Sequence, residues 1–240
     1  DIQTMQAEIR MVEDIFADMV LNMDQPEFQN YSTLYWPSQS INTVDVNGGW
    51  DFQEGYQIKV NGDQQINISG NSPASKLLSY AEAGWYLIPV LNACGVAPED
   101  LFDGMIDDVV IVKEIAGVRL YWPGVFQNLF MLEPGKSYTV SFADAVSFSY
   151  PDCEKQTILP QPQPDHFEIR YPTGNLSNKS HIVAFDGQAT AALKPGDKII
   201  LSTEAGFELA EITIQQPGKT MAFPIFMNDQ TPGKQEGFKA

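Results

Sequence analysis

The chain has 240 residues, room for one large domain or two to three small ones, and 43% of them are hydrophobic, enough to build ordinary cores. Thirty-one acidic against fourteen basic residues leave a formal net charge of -17, spread without long acidic runs. Such a surface repels phosphate backbones and anionic lipid, and no window clusters the Lys and Arg needed to displace counterions, so nucleic acid is not an expected partner.

In chain order, apolar residues at Met5, Ile9, Val12, Phe16, Met19 and Met23 step by three and four, which predicts an amphipathic helix over 5–23, stopped by Asp24-Gln25-Pro26. Strands follow over 33–36, 56–60 and 65–69, where Gln57 and Lys59 alternate with Tyr56, Ile58 and Val60 as in a sheet with one face in water. Gly84-Trp85-Tyr86-Leu87-Ile88 reads as another strand. Pro98 then suits a first helical position, Glu99 and Asp100 favour the positive helix start, and Leu101, Phe102, Met105 and Ile106 form the buried stripe of a helix ending near Asp107-Asp108. Further strands are expected over 109–113, 118–122, 137–142 and 146–150. Ile158-Leu159-Pro160-Gln161-Pro162-Gln163-Pro164-Asp165 is a Pro-rich, extended linker. Strands over 181–185, 198–202, 207–214 and 221–226 follow, separated by Gly/Pro turns such as Lys194-Pro195-Gly196-Asp197, and this last unit is expected to lack a helix.

These elements repeat. Glu13-Asp14-Ile15-Phe16 recurs 86 positions on as Glu99-Asp100-Leu101-Phe102, Met19 as Met105, Leu34-Tyr35-Trp36-Pro37 as Leu120-Tyr121-Trp122-Pro123, and Asn42 as Asn128. Glu54-Gly55-Tyr56 has a cousin in Pro134-Gly135-Lys136-Ser137-Tyr138. The expected fold is mainly β with α+β character: two tandem strand-helix-strand repeat units plus a C-terminal β-sandwich. The boundaries are 1–70 for the first repeat, 71–157 for the second, 158–165 for the linker and 166–240 for the sandwich. Shifted back by 86, the 84–88 strand falls just before Asp1, so the first copy is expected to lack its opening strand. Gln25-Pro26-Glu27 blurs its counterpart to the 109–113 strand, and that copy is expected to pair differently there. The first repeat and the sandwich both read as truncated, and the chain as an excised or processed piece of something longer. No stretch approaches the roughly 20 apolar residues of a membrane span, so no direct membrane insertion is expected.

Candidate chemistry is sparse. His166 and His181 have no Ser, Cys or second His at motif spacing, and the sequence-readable hydrolase and nucleotide motifs are missing. Glu13-Asp14 and Glu99-Asp100 are explained by helix-dipole placement. Trp36 and Trp122, with Tyr35 and Tyr121, are candidates for stacking on sugar rings, although adjacent strand residues point to opposite faces, so one of each pair belongs to a core. Asp229, within Asn228-Asp229-Gln230-Thr231, and Glu236 carry hard oxygen ligands suited to calcium, with a solvated turn as the alternative; no other cofactor is expected. Cys94 and Cys153 are either a disulfide or two buried thiols. Asn-x-Ser sequons stand at Asn30, Asn67, Asn175 and Asn178, and matter only in a eukaryotic secretory pathway.

Laid out in this way, the chain resembles modules of large secreted or surface-attached proteins of Bacteroidota, many carrying a type IX secretion sorting domain. The matching motifs are Gly84-Trp85-Tyr86-Leu87-Ile88, the 109–113 strand ending in Lys113, Tyr121-Trp122-Pro123, Pro134-Gly135-Lys136-Ser137-Tyr138, Tyr35-Trp36-Pro37, Ile41-Asn42 and Glu54-Gly55-Tyr56. Tyr86 replaces a family Asn and Ser137 a family Gly. Gly196-Asp197-Lys198-Ile199 and Asn228-Asp229-Gln230-Thr231 resemble segments of an accessory β-sandwich module that often follows those repeats. The resemblance implies a secreted or cell-surface address and does not by itself imply an activity. The expected function is a non-catalytic structural or adhesion module array, with other protein chains or surface glycans as partners and self-assembly by strand addition. The alternative is a carbohydrate-binding accessory region of a secreted glycan-active enzyme.

Overall fold

The computed structural model describes residues 27–29, 34–36, 40–46, 49, 51, 53–59, 73, 75–115, 117–153, 166–171 and 180–226. The expected helix over 5–23, the strand over 65–69, the linker 158–165, the four sequon asparagines and the calcium candidates Asp229 and Glu236 lie outside the described residues. What is described is mainly β, built from antiparallel pairs.

The first repeat forms β1 (Glu27–Gln29), β2 (Leu34–Trp36), β3 (Ile41–Asn42) and β4 (Gln57–Lys59), in the sheet order β3-β2-β1-β4, with a one-turn helix α1 (Thr43–Val46) after β3. The second forms β5 (Leu77–Tyr80), β6 (Gly84–Pro89), α2 (Pro98–Leu101), β7 (Val109–Glu114), β8 (Leu120–Trp122), β9 (Phe126–Gln127), β10 (Ser137–Phe142) and β11 (Val146–Ser149). Its larger sheet runs β6-β10-β7-β8-β9, and β5 pairs with β11. The two larger sheets therefore share one order, with β3, β2, β1 and β4 standing where β9, β8, β7 and β10 stand. β6 flanks β10, whereas among the described residues β4 is the last strand of its sheet.

This corrects the expectation that Gln25-Pro26-Glu27 makes the first copy pair differently. β1 lies between β2 and β4 as β7 lies between β8 and β10. The strand starts one residue after Pro26, so no ladder donor is lost to the proline. The helix expected up to Asp107-Asp108 is also corrected. α2 has one turn, Gly104 follows in the left-handed region at φ 80°, and a 3-10 turn covers Ile106–Asp108. A right-handed helix cannot continue through that conformation. Of the expected stripe, Leu101 and Phe102 are buried, while Met105 and Ile106 are half-buried.

A tyrosine repeats its role in both copies. The Tyr56 hydroxyl accepts the Asp51 N–H at 3.0 Å, and the Tyr138 hydroxyl accepts the Glu133 N–H at 2.9 Å, each pinning the turn that leads into β4 or β10. The core of the second repeat is aromatic. Tyr80 and Tyr86 lie 4.4 Å apart between ring centroids, and Phe102 packs edge-on against Phe142 and Phe148 at 5.9 and 5.1 Å.

After the linker come β12 (Phe167–Arg170), β13 (Ser180–Phe185), α3 (Gly187–Thr190), β14 (Lys198–Ser202), β15 (Glu208–Ile214) and β16 (Met221–Phe226), arranged as two antiparallel sheets, β12-β15-β14 and β13-β16. Phe167, Ala210, Ile212 and Ile214 of the first and Met221, Phe223 and Ile225 of the second form one hydrophobic cluster. A helix does occur here, contrary to expectation. α3 is a single turn whose N-terminus is capped by Asp186, its carboxylate accepting the Ala189 N–H at 2.8 Å.

By contact density the chain gathers into two compact units: the described residues up to Val112 with those from Met131 to Cys153, and Lys113–Phe130 with those from His166 onward. The stretch 113–130 thus falls with the C-terminal unit rather than with the sequence repeat 71–157.

Candidate functional site

Strand alternation decides which aromatic residues reach solvent. Tyr35 and Tyr121 are each 5% exposed, which corrects their candidacy as stacking residues: both belong to cores and present no ring face. Trp122 is half-buried, and the Trp36 side chain lies outside the described residues. The exposed aromatic face belongs instead to Trp85, 50% exposed on β6, with Ser141 of β10 as its cross-strand partner and Val110 of β7, also exposed, on the far side of β10. The signal was present in Gly84-Trp85-Tyr86-Leu87-Ile88: Tyr86 points into the aromatic core, so its neighbour must point out.

His166 meets Gln216 Oε1 at 3.1 Å, and its carbonyl accepts the N–H groups of Gln215 and Gln216 at 2.9 Å. His181 is exposed on β13, paired with Ile225. Glu99 and Asp100 are exposed in the first turn of α2, where the helix dipole favours them. Among the described residues, no group of three or more His, Cys, Asp or Glu side chains is arranged to hold a metal ion.

Lys113, at the end of a Val/Ile strand, is 7% exposed and donates to Ser180 Oγ at 3.2 Å. Burial lowers its pKa from the ordinary 10.5. Burial, with Asp51 nearby, raises Glu54 above 4.5. Across the sheet β12-β15-β14, Glu211 accepts from Lys198 at 3.0 Å and faces Arg170 at 3.6 Å, and these cations hold its carboxyl below the ordinary value. That network is exposed and interstrand, worth little individually in stability. Burial raises the Tyr80 hydroxyl, and Glu54, Tyr86 and Asp51 nearby add to that rise, so two acids and a phenol share one locality.

The strongest local construction surrounds the cysteines. Cys94 and Cys153 form a disulfide, with Cα atoms 5.8 Å apart. Beside it, buried Asn92 accepts from Lys76 Nζ and donates to the Pro151 carbonyl, both at 2.8 Å, and the buried Tyr150 hydroxyl donates to the Pro89 carbonyl at 2.5 Å. Every polar atom of the Asn92 side chain is thereby engaged in joining three chain segments.

Against protein-family models, curated proteins and solved structures, the chain matches none.

Proposed function

We propose that this chain is a non-catalytic structural or adhesion module array of a secreted or cell-surface protein, of the kind its repeats resemble in Bacteroidota type IX secretion cargo, with two repeat units and a C-terminal β-sandwich. The observation that carries the reading is the duplicated sheet order, together with the duplicated tyrosine hydroxyl that pins the turn before β4 and β10. What the repeat copies is scaffold, not a constellation of reactive side chains. The disulfide suits an exported protein, since such bonds persist in oxidising compartments.

Assembly by strand addition belongs to the same proposal. β10 is flanked by β6, while β4 ends its sheet among the described residues, and such an edge accepts an extended segment from another chain. Light scattering at high concentration checks this: self-association supports it, and a monodisperse monomer counts against it. Surface fractionation of the source cells tests the reading as a whole, with the chain expected outside the cytoplasm.

Trp85 favours a second reading, carbohydrate binding by an accessory region, because a half-exposed indole on a fixed strand suits a sugar ring. Glycan-array binding lost on Trp85→Ala would support it, and an array without hits would remove it.

A further inference from the structure

We infer that the Cys94–Cys153 bond is a mechanical latch that keeps its enclosed chain from being drawn out when the polypeptide is pulled lengthwise, an inference that rests on the proposed structural role. β5 and β11 are antiparallel, with Leu77 opposite Ser149, and the Tyr150 N–H donates to the Lys76 carbonyl at 3.3 Å. The chain therefore enters this ladder and leaves it at the same end. Tension on the two flanks acts along the hydrogen bonds, which run across the strands, and opens them one after another rather than together.

The disulfide lies just beyond that end. Cys153 is four residues past the last residue of β11, and its partner follows β6. The Lys76–Asn92–Pro151 chain of hydrogen bonds and the Tyr150–Pro89 bond close the same corner. Tension arriving at Cys153 passes through the sulfur bridge to Cys94, and β7 to β11 are bypassed. The cysteines are 59 positions apart, so at about 3.3–3.6 Å per extended residue the bridge withholds about 200 Å of chain.

The test holds the full oxidised chain by its two ends in optical tweezers and repeats the pull after adding dithiothreitol to the tethered, folded molecule. The expected result is a total released length about 200 Å greater after reduction. The double variant Cys94→Ala/Cys153→Ala is expected to release the longer length with or without reductant. Equal lengths before and after reduction of the wild type would overturn the latch. Reduction follows folding, so a variant that folds poorly does not obscure the result. The pull uses purified protein, so its failure is separate from that of the cell-surface reading, which fractionation decides.

Discussion

Gly55 shows how closely two segments approach. Its N–H donates to the Leu87 carbonyl at 2.8 Å, and an added Cβ would stand 2.8 Å from Ser137 Cβ and Oγ and 2.9 Å from the Leu87 carbonyl carbon. The obstruction includes backbone, which cannot swing aside. Gly55→Ala is expected to destabilise the chain by about 1–3 kcal/mol in urea unfolding, the cost of overpacking. Lys113 runs the other way. Burial lowers its folded pKa, so the penalty on its charge is complete below that lowered value and disappears as pH rises to the ordinary 10.5. Across that window the unfolded chain binds more protons, and stability rises with pH. Lys113→Met keeps the packing and removes the charge. It is expected to be more stable than wild type at neutral pH, with a gap that narrows in alkaline buffer. A variant less stable at neutral pH would contradict this. The lysine was legible as the end of a Val/Ile strand, but its burial was not, because Ser180 lies 67 residues away.

Strands bounded by turns and supplied with alternating or continuous apolar residues were legible nearly residue for residue: 137–142, 198–202 and 221–226 coincide with β10, β14 and β16. β5 and β12 were not. Leu77-Leu78-Ser79-Tyr80 has a strand identity only through β11, far along the chain, and β12 follows directly on the Pro-rich segment with Glu168 and Arg170 exposed on it. The 86-residue alignment matched Asn42 with Asn128, yet the elements around them diverge. β2 and β3 are separated by four residues and β8 and β9 by three, so Tyr35 faces Asn42 whereas Tyr121 faces Gln127. Asn42 consequently accepts the Asp45 N–H at 3.0 Å at the start of α1, and Asn128 accepts the Leu120 N–H at 2.7 Å at the start of β8. Turn length, invisible to identity matching, reassigned the side chain. α3 is held at its start by the Asp186 cap and at its end by buried Thr190, whose hydroxyl donates to the Lys219 carbonyl at 3.1 Å. Asp186→Ala is expected to cost about 1 kcal/mol by thermal unfolding, and Asp186→Asn considerably less.

At the scale of the molecule, the mainly β fold was legible while the candidate sugar platform was not, because Tyr35 and Tyr121 belong to cores and Trp85 was read only as part of a strand. The disulfide joins segments that alternation alone could not bring together. Closing a 59-residue loop contributes roughly 4 kcal/mol in the chain-entropy model. Cys94→Ala/Cys153→Ala is expected to lose about that much stability by urea unfolding under non-reducing conditions, while dithiothreitol leaves the variant unchanged. The central proposal, that the protein is exported, is tested most directly by fractionating the source cells and digesting the protein from each fraction without reductant, followed by mass spectrometry. The account predicts peptides carrying Cys94 and Cys153 linked to each other, from a surface or culture-fluid fraction. Free thiols on a protein confined to the cytoplasm would contradict it.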